Sequence, residues 1–158
     1  MAKSTQNIQA SILDRLIDYE PQTAREPVQR NLVSFDQIKA AVIRDLENLL
    51  NTKSQILPIP DAYRGVLGSV FTYGMPDYTT VNPKSTSTRQ QLRHDIERAV
   101  AMFEPRLRNI AVRVEPPTQE ERHIKLKLTA MLVIDPVAEP VVFDTLFDVN
   151  KGEYKIPM

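Results

Sequence analysis

The sequence predicts an α+β fold in which two main helices pack on a small antiparallel sheet of three to four strands. Two segments, residues 34–51 and 89–103, place apolar residues at three- and four-residue steps, as amphipathic helices do. Three later segments, residues 110–114, 123–134 and 141–149, alternate along the chain as half-buried strands do. One-sided alternation with short connections favours antiparallel pairing, with the helices covering one face.

Composition favours a folded domain whose partners are proteins. Of the 158 residues, 42% are hydrophobic and 25% charged, which allows a real core and argues against global disorder. The 20 Lys and Arg residues equal the 20 Asp and Glu residues, so the chain lacks the basic excess expected of a protein that binds nucleic acid or anionic lipid. We therefore expect protein surfaces as partners, and no nucleic acid.

Location is predicted from what the chain lacks. It contains no cysteine, which excludes disulfides, a thiol nucleophile and thiolate metal sites, and fits a reducing compartment. The first twenty residues do not have the pattern of a signal peptide. No stretch approaches the roughly 18 apolar residues of a membrane span. These features predict a cytoplasmic protein without direct membrane insertion.

Residues 1–30 are predicted to form an N-terminal helical arm and linker, and residues 31–158 a single α+β domain. Five apolar residues of the arm fall on one helical face: Ile8, Ile12, Leu13, Leu16 and Ile17. Glu20-Pro21 should end this helix, because the residue before a proline avoids helical geometry. The arm either folds back on the core or docks on another subunit through Leu13 and Leu16.

Both main helices have predicted boundaries. Ser34 and Gln37 have capping-box spacing before the first helix, and Thr88 and Gln91 repeat that spacing before the second. Pro105 should end the second helix. The intervening residues 52–86 hold three of the four glycines and four prolines, so they should be irregular. They keep several apolar residues, which predicts packing against the core or against a partner.

The strands predict a sheet with at least one open edge. Along residues 123–134 one face is apolar throughout, and Met131 and Val133 add apolar residues to the other face, so that end is expected to be covered on both sides. Val141, Phe143 and Thr145 share a face in the last strand. Three or four strands are too few to close a barrel, so the last strand or its neighbour should accept a partner's strand by backbone pairing. The alternative is that the N-terminal arm or the segment after Asn150 covers this edge.

Signs of catalysis are few. The chain has neither a phosphate-binding glycine motif nor a G-x-S-x-G elbow, and His94 and His123 lack the spacing of metal ligands. A glycosidase needs two carboxylates across a cleft, and nothing places Asp77 opposite Glu104. Arg106 should favour the charged form of the Glu104 carboxylate, which is the opposite of what a general acid needs. No catalytic residue, cofactor or metal site is predicted.

The segment Glu104-Pro105-Arg106 is the most distinctive local feature. Pro105 takes Glu104 out of helical geometry. In an extended chain, side chains two residues apart share a face, so the carboxylate and the guanidinium would point the same way. The simplest interpretation is that the two charges pair with each other or with water.

Several segments, in order and at characteristic spacing, carry a resemblance to a known family. They are Ser11–Leu16 (SILDRL), Asp45–Lys53 (DLENLLNTK), Ser69–Asp77 (SVFTYGMPD), Phe103–Leu107 (FEPRL), Glu139–Val141 and Phe143–Thr145. This set resembles the TssE family of bacterial type VI secretion baseplates, related to the tailed-phage baseplate wedge proteins that carry a "lysozyme" label. Met75, Lys53 and the pair Phe71-Thr72 depart slightly from the family's usual residues.

The resemblance implies a structural baseplate subunit that joins wedge proteins, of the TssF, TssG and TssK types, to the first ring of the sheath, of the TssB and TssC types. It implies that Glu104, Pro105 and Arg106 contact the wedge. It also implies that the terminal sheet, with Val141, Phe143 and Thr145, receives strands from the sheath. The assembled protein would lie at the cytoplasmic side of the inner membrane. The alternatives are a peptidoglycan muramidase and a generic protein-binding adaptor.

Overall fold

The structure is a computed structural model of the chain. It describes residues 8–9, 11–16, 22, 32–55, 59–82, 84–115, 123–134 and 137–157. The chain divides into two compact units, residues 1–44 and 45–158.

The first unit differs from the predicted helical arm at its start. Ile8 lies in a two-residue strand, β1 (Ile8–Gln9), which pairs antiparallel with β2 (Leu32–Val33). The helix α1 spans Ile12–Leu16 only, and the amide of Asp14 donates to the Ser11 hydroxyl at 3.2 Å. The expected helical face was therefore wrong at Ile8, because a non-local strand pairing takes that backbone. Ile17 lies outside the described residues.

The helix α2 (Phe35–Asn51) begins where the capping box predicts. The Ser34 amide donates to the Gln37 side-chain carbonyl at 2.8 Å, and the Gln37 amide donates to the Ser34 hydroxyl at 3.2 Å. This reciprocal pair satisfies two backbone donors that the first helical turn leaves without partners. The boundary between the two units falls inside α2.

After α2 the chain is irregular but partly buried. Two 3₁₀ segments, Asp61–Val66 and Val70–Thr72, are followed by the buried side chains of Met75 and Tyr78. A parallel bridge joins Lys53 to Met75. Gly74, which precedes Met75, has φ +112°, and a Cβ at this position would collide with the Thr52 carbonyl oxygen. Only glycine suits this position without strain.

The second main helix, α3 (Thr86–Phe103), starts earlier than the sequence predicts. Its N-cap is Ser85, whose hydroxyl accepts from the Thr88 amide at 3.5 Å, so the expected cap at Thr88 was wrong. A serine three residues upstream offers the same capping chemistry, and the helix extends to use it. The end at Phe103 is as predicted, and the Glu104 amide still donates to the Val100 carbonyl at 2.9 Å.

The sheet is antiparallel with the order β3 (Leu107–Val114), β4 (His123–Ile134), β5 (Val137–Asp148) and β6 (Glu153–Lys155). The predicted α+β class, with two main helices and a four-stranded sheet, is confirmed. One face supplies much of the core, including Ile124, Leu126, Leu128, Leu132, Phe143 and Phe147. The expected two-sided cover near Met131 and Val133 was wrong: Val133 is 36% exposed on the outer face.

Candidate functional site

The Glu104-Pro105-Arg106 segment forms a tight turn between α3 and β3. The Leu107 amide donates to the Glu104 carbonyl at 3.1 Å, which closes a four-residue turn. Pro105 is at the second position of that turn, which suits its fixed φ, and its side chain is exposed. Glu104 leaves helical geometry as predicted, with φ −121° and ψ 82°, but the chain turns here instead of continuing as an extended strand. We call residues 104–106 the corner.

Within the corner the two charged side chains bind each other. Arg106 donates from Nε to Glu104 Oε1 at 2.7 Å and from Nη2 to Glu104 Oε2 at 2.6 Å. The Arg106 amide also donates to Glu104 Oε1 at 3.2 Å. The carboxylate side chain is only 6% exposed, so this two-point contact compensates its burial. The simplest interpretation of the sequence, a Glu104–Arg106 pair, is thus what the structure contains.

A third charge joins the corner from α2. Arg106 Nη2 donates to Asp45 Oδ2 at 2.6 Å, and the Arg106 side chain is 25% exposed. These contacts, with the Glu104 hydrogen bonds as the main cause, raise the pKa of Arg106, so it stays charged at any ordinary pH. Sequence reasoning missed Asp45, which is 61 residues away in the chain. Nothing in local spacing marks a helical aspartate as the partner of an arginine in a distant turn.

Two aromatic rings border the corner. Tyr73 contacts Phe103 edge-on, with ring centroids 5.2 Å apart at an interplanar angle of 70°. Burial raises the pKa of the Tyr73 hydroxyl, and the negative charges of Asp45 and Glu104 raise it further. The Tyr73 hydroxyl therefore lies in the field of both carboxylates and stays protonated at neutral pH.

The other predicted contact residues are in two places. Leu16 is 76% exposed at the end of α1, and the side chain of Leu13 lies outside what the structure describes. Val141, Phe143 and Thr145 have side chains that are at most 5% exposed, because they face the core from β5. Any contact that a partner makes along β5 would therefore involve the backbone or the outward side chains that alternate with these three.

The pairing pattern shows which way each β5 amide points. The Val133 amide donates to the Arg106 carbonyl at 2.8 Å, and the Glu115 amide donates to the Lys125 carbonyl at 2.9 Å, so odd-numbered residues of β4 face β3. Successive residues of an antiparallel strand face opposite neighbours, so even-numbered residues of β4 face β5. Opposite them are the odd-numbered β5 residues, which include Thr145.

The even-numbered residues of β5 consequently point away from β4. The Asp148 carbonyl accepts from the Gly152 amide at 2.8 Å on the β6 side, which agrees with this assignment. The strand β6 pairs with Leu146–Asp148 only. Within the described ranges, the rest of β5 pairs with β4 alone, so the backbone groups of Val142 and Asp144 face outward. We call residues 137–145 of β5 the open stretch.

Asp77 and His123, the other ionisable residues considered for catalysis or metal binding, contact neighbouring residues of the same fold. Asp77 accepts from the Thr79 amide and from Lys53 Nζ, both at 3.0 Å. The backbone hydrogen bond from Thr79, followed by the contact with Lys53, lowers the pKa of Asp77 to about 2. His123 Nδ1 lies 3.9 Å from Asp148 Oδ2.

In the described segments, no group of three His, Asp or Glu residues could hold a metal ion. No helix within them is long and apolar enough to cross a bilayer.

Comparison with known proteins gives a family match. The model of the baseplate wedge protein gp25 family matches residues 36–137, which include nearly all of α2, then α3, the corner, β3 and β4. A search of curated proteins finds no match. Among solved structures, a chain from "The baseplate complex from the type VI secretion system" aligns with a TM-score of 0.49 and 18% identity. The alignment covers 70% of this chain and 94% of that chain.

Proposed function

Because the chain belongs to the baseplate wedge protein gp25 family, we propose that it is a structural subunit of a type VI secretion baseplate that links wedge proteins to the first ring of the sheath. The type VI assignment rests on the ordered motifs from Ser11–Leu16 to Phe143–Thr145. The partners would be wedge proteins of the TssF, TssG and TssK types and sheath proteins of the TssB and TssC types. The assembled subunit would lie in the cytoplasm against the inner membrane.

The observation that carries this proposal is the construction of the corner. Two carboxylates, Glu104 and Asp45, hold the Arg106 guanidinium at 2.6–2.7 Å, and Pro105 is exposed in the turn between Glu104 and Arg106. A surface fixed in this way loses little conformational entropy when a partner binds it. Such a rigid, charged turn suits a contact with another protein better than it suits proton transfer.

The corner is tested by placing a large side chain on its exposed tip. In Pro105→Arg the turn position tolerates a non-proline residue, so we expect a loss of less than about 1 kcal/mol in stability. The arginine should nevertheless block the wedge contact and abolish co-purification with TssF- and TssG-type proteins. Arg108→Ala is the matched control, because Arg108 is also exposed just beyond the corner. Normal co-purification of folded Pro105→Arg would contradict the proposal.

Arg106→Ala tests the same corner, but it should reduce stability as well as binding to the wedge proteins. It leaves the buried Glu104 carboxylate without its guanidinium, which should cost about 2 kcal/mol, less than for a fully buried pair because Arg106 is partly exposed. Binding therefore has to be measured well below the melting temperature of the variant. Arg106→Lys keeps the charge but not the two-point geometry, and should recover only part of both losses.

We further propose that the protein has no enzymatic activity on peptidoglycan. Both Glu104 oxygens accept hydrogen bonds from Arg106 and the carboxylate is nearly buried, so its hydrogen-bonding capacity is used within the subunit and not directed at a substrate. A turbidity assay on peptidoglycan from acid to neutral pH should show no clearing. Clearing that disappears in a folded Glu104→Gln variant would favour the muramidase instead.

We propose that the sheath contact is the open stretch of β5. Its outward backbone groups, at Val142 and Asp144, form an edge to which another chain's strand can add. The predicted roles of Val141, Phe143 and Thr145 are then indirect: these side chains anchor the strand in the core while their neighbours provide the hydrogen bonds.

A further inference from the structure

A cleft separate from the open stretch lies between the end of α3 and the irregular segment before it. Its volume is about 450 Å³, within the roughly 300–1,000 Å³ of pockets that bury ligand groups. Its apolar lining comes from Ala99, Met102 and Phe103 on α3 and from Ile59, Leu67 and Pro76 on the other side. All of these residues belong to the second unit.

The charges on the lining cancel. The two charged lining residues are Asp95 and Arg98, whose side chains approach to 3.4 Å. The Asp95 carboxylate is buried and also accepts from the Tyr78 hydroxyl at 2.6 Å and from Gln91 Nε2 at 3.1 Å. Its hydrogen-bonding capacity is therefore largely used within the subunit. The cleft offers a neutral, mostly apolar surface, which is complementary to an apolar side chain rather than to a charged group.

Large apolar side chains at this cleft are left in water. Met102 is 43% exposed and Leu67 is 40% exposed, on opposite walls. Between the lining residues Leu67 and Thr72, the chain also exposes Phe71 by 45% and Val70 by 92%. Clustered exposure of large apolar residues is typical of surfaces that bind another protein.

The cleft lies next to the corner along the chain. Phe103 lines the cleft, packs against Tyr73 in a T-shaped contact, and is followed directly by Glu104. We propose that the cleft receives an apolar anchor side chain, of the Leu, Ile, Met or Phe kind, from the same wedge protein that contacts the corner. The corner and the cleft then form one docking surface, with the charged turn fixing orientation and the cleft burying the anchor. This inference rests on the proposed wedge contact.

The test introduces a charge on each wall of the cleft. Met102→Asp and Leu67→Asp should each weaken binding to purified, co-encoded TssF- and TssG-type wedge proteins at least tenfold, because an unpaired carboxylate would be buried against the anchor. Ala101→Asp is the matched control: Ala101 is exposed in the same helical turn but does not line the cleft. It should change the dissociation constant less than twofold.

Cross-linking identifies the occupant directly. Because the chain has no cysteine, Met102→Cys and Ala101→Cys can each carry a single benzophenone. We expect a cross-link from position 102 to a wedge protein, and little from position 101. A cross-link from position 102 to a second copy of this chain would overturn the proposal.

These experiments distinguish failure of the cleft proposal from failure of the proposed baseplate function. If Pro105→Arg abolishes wedge binding while Met102→Asp and Leu67→Asp bind normally, the cleft proposal is wrong and the proposed function stands. If the unmodified protein does not bind the wedge proteins, the proposed function fails and the cleft proposal fails with it. Loss of binding in both wall variants, but not in Ala101→Asp, supports the shared docking surface.

Discussion

The edges of the sheet differ in whether side chains from the helices bind their backbone groups. At the β3 edge, the Val112 amide donates to Glu97 Oε1 of α3 at 2.9 Å. At the β6 edge, the Asn51 side chain of α2 accepts from the Tyr154 amide at 2.7 Å and donates to its carbonyl at 3.0 Å. The Ile156 amide donates to Glu47 Oε1 at 2.8 Å. Helix side chains thus take the place of a neighbouring strand at both ends.

The open stretch of β5 has no such helical partner in the described residues. Its protection comes from Pro140, which lacks an amide hydrogen, from the exposed Glu139, and from Asp144, which pairs with Lys127 at 3.5 Å. Proline and charge at an edge discourage indiscriminate pairing without filling the edge. The two outer edges are thus closed by helix side chains, and the contrast supports the proposal that the open stretch receives a strand from a partner. The alternative that the segment after Asn150 covers this edge is correct only for Leu146–Asp148, which pair with β6.

The largest expected effect comes from proline at two positions of β5 whose amides point in opposite directions. Thr145→Pro removes an amide that points at β4 in a buried part of the sheet, so we expect a loss of about 3 kcal/mol or complete unfolding. Val142→Pro removes an amide that points outward, so it should cost less than about 1 kcal/mol but prevent sheath assembly. Urea unfolding and sheath formation in cells measure the two effects.

The Val142→Pro result depends on the amide and not on the side chain. Val142→Ala is therefore the control, and it should assemble normally because backbone pairing tolerates a change of outward side chain. If Val142→Pro unfolds as readily as Thr145→Pro, the direction assigned to these amides is wrong. If folded Val142→Pro assembles normally, the open stretch does not receive the sheath strand.

A smaller effect is expected at the sealed β3 edge. Glu97→Ala deprives the Val112 amide of its acceptor and should cost about 1 kcal/mol in the free energy of unfolding. Glu97→Gln keeps a carbonyl oxygen at the same position and should recover most of that loss. Urea denaturation of the three proteins provides the comparison. Equal stability of all three would show that the Glu97 contact does not seal the edge.

The smallest effect at neutral pH is expected in β6. The Tyr154 hydroxyl is buried without a hydrogen-bond partner among the described residues, although its ring stacks on Phe147 with centroids 4.4 Å apart. Tyr154→Phe keeps the stacking and removes the unpaired hydroxyl, so stability should change by less than about 0.5 kcal/mol or rise slightly. Tyr78→Phe is the contrast, because it removes a hydrogen bond to Asp95 and should be destabilising.

The same tyrosine should be visible in alkaline unfolding. Burial raises the pKa of Tyr154 in the folded state, so the folded protein holds that proton more tightly than the unfolded chain does. Stability is then unaffected below about pH 10, where unfolded tyrosine begins to ionise, and falls as the pH rises further, by up to about 1.4 kcal/mol per pH unit. The fall should be shallower in Tyr154→Phe. An identical pH dependence in both proteins would contradict burial of this hydroxyl.

The parts of the fold that local chemistry determines were predictable from the sequence. The Ser34–Gln37 capping box and the proline that follows α3 mark helix ends through contacts within a few residues. The alternation of apolar and polar residues along 123–134 was also predictable, because a strand with one buried face produces it without reference to any particular partner. The start of α3 was misplaced because Ser85 and Thr88 offer the same capping chemistry, and sequence alone does not rank them.

Features that depend on distant partners were not predictable. The strand β6 has three residues, too few for a period to appear, and it exists because Asn51 and β5 flank it. Asp45 completes the corner across a separation of 61 residues. The motif Glu104-Pro105-Arg106 pointed to the candidate site from the sequence alone, whereas Asp45, the third charge that binds Arg106, became evident only from the fold.

The contacts of Asn51 and Glu47 with Tyr154 and Ile156 have a consequence for the order of folding. They join residues separated by 103 and 109 positions, so most of the domain must be synthesised before α2 can acquire its partners. Contacts of such long range are slow to form, because loop closure precedes any gain from them. During synthesis the incomplete sheet would expose β5 along its whole length. A nascent subunit would therefore expose more unpaired β5 backbone than the folded subunit does. Pairing with β6 would remove Leu146–Asp148 from that exposed edge only after β6 has been synthesised.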